Sequence, residues 1–129
     1  MSTIKVMVNG LPGNLARSVA GYLTMDGRFE LVPHSLTGPE IQQSEDIIDE
    51  IAVKLIQADH GNSRIEQIKQ STGKFLSVDY THPSAVNSNA EFYCRHGLPF
   101  VMGTTGGDRQ KLESTVAASS IAAVIAPNM

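Results

Sequence analysis

An α/β fold with a parallel, doubly wound sheet is what this sequence predicts, and three features predict it. Val6-Met7-Val8-Asn9-Gly10-Leu11-Pro12-Gly13-Asn14-Leu15-Ala16 reads as a buried strand, a glycine turn and a helix start. Phe100-Val101-Met102-Gly103-Thr104-Thr105-Gly106-Gly107 reads as a second strand running into a flexible polar loop. Between the two, strand-like runs alternate with helical patterns, which implies right-handed crossovers and a parallel sheet. Two such strand-to-glycine junctions describe one rim of a Rossmann-like sheet, the edge where these folds hold cofactors.

Ile4–Asn9 is β-branched and apolar, the pattern of a strand buried on both faces. Asn14 is a candidate cap for the helix that follows, whose Leu15, Val19, Tyr22 and Leu23 share one face until Met25-Asp26-Gly27 stops it. Phe29–Ser35 reads as the second strand, closed by Thr37-Gly38-Pro39. The polar, acidic stretch Gln42–Glu50 reads as loop and a short turn, and Ile51–Ile56 as a short strand with Lys54 and Gln57 outward. A turn over Asp59–Asn62 leads to a short helix, Ser63–Gln70, and then to the strand Phe75–Tyr80. Pro83 or Ser84 opens a helix through Arg95, with Ala85, Val86, Ala90 and Tyr93 inward and His96-Gly97 as its stop. Leu98–Met102 is a strand, Asp108 caps a helix to Ser119, and Ile121–Ile125 is the last strand.

The 129 residues suffice for one domain with a real core, and their 41% apolar and 18% charged shares are ordinary for a globular α/β protein. A net charge of −3, with mixed signs and no basic run, argues against a nucleic-acid partner. Cys94 is the one cysteine, so no internal disulfide forms, which fits a reducing compartment. No apolar stretch is long enough to cross a bilayer, and Met1-Ser2-Thr3 runs straight into strand-like sequence, so no targeting peptide is expected in this chain.

Gly10-x-x-Gly13-x-x-Ala16 carries the clearest chemical signal. Gly10 lets the chain turn off the strand, Gly13 lets backbone approach a pyrophosphate, and Ala16 lets the helix pack close to the sheet. The amide end of the helix at Asn14 and Leu15 then faces the phosphates. Read for its conformation alone, the same turn is only a strand-to-helix connection, but its context favours a dinucleotide. At the end of the second strand, His34, Ser35, Leu36 and Thr37 include no carboxylate to repel a 2′-phosphate, and hydroxyls such as that of Ser35 are able to bind one. That leans toward NADPH, with NADH also possible.

Asp79-Tyr80-Thr81-His82-Pro83 lies at a strand end facing the same crevice, where Asp79 orders the loop more often than it acts as an acid. His82 is in the region for acid–base work, but it and the other histidines read as solvated polar residues. Cys94 has no partner cysteine or activating base nearby in sequence, and no metal-ligand spacing occurs.

Taken in order, these segments resemble the 4-hydroxy-tetrahydrodipicolinate reductase (dihydrodipicolinate reductase) family, and most closely its plant-type branch. The resemblance rests on Gly10-x-x-Gly13, on Asp79-Tyr80-Thr81 with Pro83, on Pro99 through Arg109 around Gly103-Thr104-Thr105-Gly106-Gly107, and on Ala126-Pro127-Asn128-Met129. It implies the cofactor domain of a two-domain reductase in diaminopimelate and lysine biosynthesis, whose C-terminal substrate domain, absent from this chain, also builds a homotetramer. It implies hydride transfer from NADPH or NADH to a cyclic imine or its hydroxylated precursor. Gly10, Gly13, Asn14 and Leu15 would then meet the pyrophosphate. Thr81, Gly103, Thr104 and Thr105 would line the nicotinamide side, Thr105 would touch substrate, and Pro127, Asn128 and Met129 would form the last wall. The family's histidine- and lysine-containing catalytic segment belongs beyond Met129, so no catalytic residue is assigned here and the chain alone is expected to be inactive. Location would be cytoplasmic, or the plastid stroma in a plant or alga. Where the family usually carries a basic residue, a methionine and a third glycine, this chain has Asn14, Leu15 and Ala16, with Arg17 as a possible replacement for the basic contact. Two rivals stand beside this reading: a non-catalytic nucleotide-binding paralogue, and the cofactor domain of another amino-acid-pathway dehydrogenase.

Overall fold

A computed structural model describes residues 3–125, apart from the side chain of Ala58. β1 (Ile4–Asn9) is buried from Val6 to Asn9, and its alternation sends Val6 and Val8 into one apolar cluster and Met7 into another. α1 (Asn14–Met25) packs by Ala16 and Ala20, both fully buried, so small side chains let it approach the sheet closely. Leu15 and Tyr22, expected inward, are 54% and 75% exposed, because the inner stripe runs through Ala16 and Ala20 about one residue out of phase with them. Asn14 is the first helical residue and not the cap; Gly13 takes that position and no side chain closes the helix end.

The run expected as a single strand over Phe29–Ser35 divides at Pro33. β2 (Phe29–Leu31) pairs with β1, and β3 (His34–Thr37) belongs to a second sheet. Proline has no amide to continue a ladder, so the chain changes sheets there. The stretch expected as loop instead forms β4 (Glu45–Ile48), which pairs antiparallel with β5 (Ile51–Gln57). Asp49 and Glu50 make the two-residue turn between them with φ of 49° and 72°. Such turns normally use glycine or asparagine, so this pair sends no local signal.

A short 3₁₀ turn leads into α2 (Gly61–Thr72), then β6 (Leu76–Asp79), α3 (Val86–Arg95), β7 (Phe100–Met102), α4 (Arg109–Ala117) and β8 (Ala123–Ile125). Asp108 caps α4 as expected, its carboxylate accepting the Lys111 amide at 3.1 Å. The main sheet runs β2-β1-β6-β7-β8 with every neighbour parallel, and the second runs β3-β5-β4. This is the expected Rossmann-like doubly wound sheet, extended by the β4–β5 hairpin.

Two cores sandwich the sheet. α1 and the hairpin contribute Ala16, Ala20, Ile48 and Val53 on one side, and α2, α3 and α4 contribute Ile65, Ile68, Ala90, Tyr93 and Leu112 on the other. Each fully buried large side chain in them contributes roughly 1.5–3 kcal/mol of hydrophobic stabilisation. Across β6, β7 and β8, Val78, Val101 and Val124 stand in register on one face, and Val124 is 62% exposed.

Candidate nucleotide-binding site

From β1 the chain leaves toward β2 on one side, and β6 occupies the other, so the carboxyl ends of β1 and β6 mark the switch point of the sheet. Open α/β sheets bind their ligands at that place. Gly10 sits there with φ +117°, and a β-carbon on it would lie 2.1 Å from the Tyr80 carbonyl oxygen. No side chain fits between the two strand ends. Gly10 donates to the Leu36 carbonyl and accepts from the Gly13 amide, both at 2.9 Å, which folds the loop tightly over the end of β1. Gly13 faces outward with an ordinary φ of −59°, and a β-carbon there would meet only the Gly10 carbonyl oxygen at 3.0 Å.

A cleft of about 600 Å³ opens above this loop. Gly10 to Gly13 form its floor, Leu36 to Ile41 one wall, and Thr81, His82, Ser84, Ala85 and Asn89 the other. The amino end of α1 points into this region with no acidic residue in its first turn. Its first amides have no intrahelical acceptor, which suits the site to an anion.

Beneath the cleft lies a buried carboxylate, Asp79, fully excluded from solvent. One oxygen accepts from the Thr81 amide (3.1 Å), the Thr81 hydroxyl (2.7 Å) and the Thr104 hydroxyl (2.7 Å). The other accepts from Tyr93 (2.5 Å) and Asn89 (3.1 Å). No cation pairs with Asp79 among the described residues; neutral donors alone satisfy it, as burial requires. Asn9 extends the network, donating to the Tyr93 oxygen at 2.9 Å and accepting from the Leu36 amide at 2.9 Å. Burial, and then the adjacent Asp79 charge, hold the Tyr93 hydroxyl well above its ordinary range, so it stays a donor. This network ties the ends of β1, β3, β6 and β7 to α3, and Asp79 acts in it as the loop-ordering residue that its position suggested.

The structure brings Gly10, Gly13 and Thr81 together on the cleft. Asn14 and Leu15 lie beside it on the exposed start of α1. Ser35 is fully buried; its hydroxyl accepts from the Leu11 amide at 3.2 Å and donates to the Leu36 carbonyl at 3.3 Å, so it braces the glycine loop from below. Thr37 does the same, donating to the Leu11 carbonyl at 2.7 Å. Gly103 is packed against the Tyr80 ring, 2.4 Å from where its β-carbon would be. The Thr104 hydroxyl is engaged by Asp79 and the Thr81 amide, and Thr105 is partly exposed on the same rim. Pro127, Asn128 and Met129 lie outside the described residues. Arg17, the suggested substitute for a basic phosphate contact, is paired with Asp46 of β4 instead. His82 lines the cleft and caps the turn at Pro83, accepting the Ser84 amide at 3.1 Å.

Among the cleft residues that the sequence did not single out, Glu40 carries a charge. Glu40, just past the Thr37-Gly38-Pro39 turn, lies against Gly38 on the wall. It is the first acid after the strand, displaced beyond the usual ribose-sensing position by that turn. No cluster of residues able to hold a metal occurs among the described residues, and none of their helices is long and apolar enough to cross a membrane.

The sequence profile described as "Dihydrodipicolinate reductase, N-terminus" matches residues 4–129. The chain is 42% identical over 132 residues to 4-hydroxy-tetrahydrodipicolinate reductase 1, chloroplastic, of Arabidopsis thaliana, an alignment covering 98% of this chain and 36% of that protein. It is 40% identical over 124 residues to the probable 4-hydroxy-tetrahydrodipicolinate reductase 1, chloroplastic, of Oryza sativa subsp. japonica, covering 96% and 36%. Against the 4-hydroxy-tetrahydrodipicolinate reductase of Lactiplantibacillus plantarum it is 33% identical, covering 97% and 47%. The chain thus spans between about a third and a half of the length of these relatives, and it belongs to the dihydrodipicolinate reductase family, corresponding to that family's N-terminal, nucleotide-binding part.

Proposed function

We propose that residues 1–129 form the cofactor domain of a 4-hydroxy-tetrahydrodipicolinate reductase that uses NADPH or NADH, and that the catalytic proton donor, the tetramer contacts and the remaining substrate contacts reside in a second domain. The observation that carries this reading is the cleft at the β1/β6 switch point, floored by Gly10 to Gly13. Its fit to a dinucleotide rests on Gly13, whose missing side chain leaves the loop backbone open to the cleft, and on the uncapped start of α1. When bound, the nicotinamide supplies a hydride for a cyclic imine in diaminopimelate and lysine biosynthesis.

The chain's own residues hold and orient. Gly13, Asn14 and Leu15 present backbone to the pyrophosphate, and Glu40 accepts from ribose hydroxyls. The Asp79 network holds the Thr81 and Thr104 loops at the nicotinamide end, where Thr105 meets cofactor and substrate. Pro127, Asn128 and Met129, which lie outside the described residues, are assigned to the cofactor by the family resemblance alone. The row of Val78, Val101 and Val124 suits cover by the second domain. The plant relatives carry chloroplastic names, which supports a plastid location for a plant or algal source; for any other source the reading is the cytoplasm. A second reading, a paralogue that binds nucleotide without catalysis, is favoured by one observation: Arg17 is held by Asp46 and not by the phosphate loop.

Titration of the chain with NADPH and NADH, followed by calorimetry, tests the reading. Saturable binding is expected, abolished by Gly13→Asp while the melting temperature moves by only a few degrees. Absence of binding by the folded chain would remove the cofactor role.

A further inference from the structure

Next to the cleft, on the far side of Ile41, lies a second hollow of about 300 Å³. Its polar walls are Gln42, Gln43 and Ser44 from the β3–β4 connection, Gln57 at the end of β5, and His60 and Arg64 at the start of α2. The two spaces share a partition, because the Gln57 amide donates to the Ile41 carbonyl at 2.6 Å. β5 runs parallel to β3 with Gln57 opposite Thr37, so the hollow continues the rim on which the cleft opens.

Charge distinguishes the two. Glu40 and His82 are the titratable residues lining the cleft, and no lysine or arginine lines it. The hollow holds Arg64, which makes no ion pair among the described residues. Lys54 stands nearby on β5, two residues before Ile56 and on the same strand face. Burial, and then the charges of Arg64 and Lys54, lower the His34 imidazole below its usual range. Of the nearby acids, Glu45 stands opposite Lys54 in the β4–β5 register, and Asp59 lies 3.8 Å from His60 at the edge of the hollow; neither pairs with Arg64. Positive charge therefore has no carboxylate on it at Arg64.

We propose that this hollow receives the 2′-phosphate of the adenosine ribose, with Arg64 as its cation and Gln57 and His60 as further donors. A guanidinium binds phosphate in a planar, two-pronged geometry that the carboxylate-bearing cleft does not offer. The inference rests on the dinucleotide reading, and it assigns the phosphate to a position past the third strand of the half-sheet, where no residue at the end of β3 supplies a cation. Glu40 then serves the unphosphorylated ribose and Arg64 the phosphorylated one, so a single rim accommodates both nucleotides.

Calorimetric titration of the chain and of Arg64→Ala and Arg64→Gln, with NADPH, NADH, 2′-AMP and 5′-AMP as probes, tests it. Both variants should bind NADPH and 2′-AMP roughly 10- to 100-fold more weakly, the range for a lost charged hydrogen bond. NADH and 5′-AMP should change by less than about twofold, which also shows that the variants fold. Equal loss for NADPH and NADH, or no loss for NADPH, would overturn the assignment while leaving the cofactor domain intact. Failure of the unmodified chain to bind either dinucleotide would overturn both.

Discussion

The glycine loop after β1 and the glycine loop after β7 lie on one rim and look alike in sequence, yet their glycines are there for opposite reasons. In the first, Gly13 is exposed toward the cleft, and a β-carbon would meet one neighbour, the Gly10 carbonyl oxygen, at a tight 3.0 Å. In the second, the site of a β-carbon on Gly103 is filled by the Tyr80 ring at 2.4 Å. One loop leaves room for a ligand and the other leaves room for the protein. Gly10 joins the two, since the Tyr80 residue that crowds Gly103 with its ring also crowds Gly10 with its carbonyl. A glycine-rich loop therefore identifies a ligand contact only after its packing is known.

Substitutions should separate these roles by size. Gly10→Ala carries the largest expected effect, because it combines a φ of +117° with a backbone clash that cannot relax without parting β1 from β6. A loss of roughly 4 kcal/mol or more in denaturant unfolding is expected, enough to unfold a marginal domain. Tyr93→Phe comes next, at about 2 kcal/mol, since it removes a donor from the buried Asp79 carboxylate and an acceptor from Asn9. Its pH dependence sharpens the test. The Tyr93 hydroxyl is raised in the folded chain, so its contribution is complete below about pH 10 and falls as the pH rises beyond that, where the unfolded chain loses the proton first. The alkaline decline in stability should be shallower in the phenylalanine variant. Gly103→Ala follows, at about 1–2 kcal/mol, because a side-chain ring can yield where a carbonyl cannot. Gly13→Asp should cost about 1 kcal/mol of stability, because the Gly10 carbonyl must give by a few tenths of an ångström, while removing nucleotide binding. If Gly103→Ala spared the fold and abolished binding as Gly13→Asp does, the contrast between the loops would collapse.

Much of the fold was legible because it is written locally. The apolar β1 run, the glycine junction, the Asp108 cap and the inward Val86, Ala90 and Tyr93 of α3 all follow from short-range periodicity and capping chemistry. The resemblance to the family was legible for the same reason, in contiguous motifs. The hairpin was not, because Asp49 and Glu50 adopt positive φ without the residues that usually announce it. Nor was the break at Pro33, whose single missing amide reads equally well as an edge-strand proline. Ser35 and Thr104 carry hydroxyls where a cofactor contact is plausible by sequence, but those hydroxyls face the interior and bind Leu11, Leu36, Asp79 and Thr81. Glu40 was passed over because a three-residue turn carried it beyond the strand end.

By itself the amino-acid sequence determined the alternation of strands and helices, the two glycine junctions and the family to which they belong, since each is a pattern among residues near one another along the chain. Only the tertiary structure decided which strands are neighbours, and with that nearly everything about the rim. Placing β6 against β1 brings Tyr80 over Gly10 and buries Asp79 among donors from α3 and the β7 loop, while setting β5 beside β3 brings Arg64 next to the cleft. Those contacts join residues far apart in sequence, and they depend on which faces can be buried together, a choice made by packing the whole molecule.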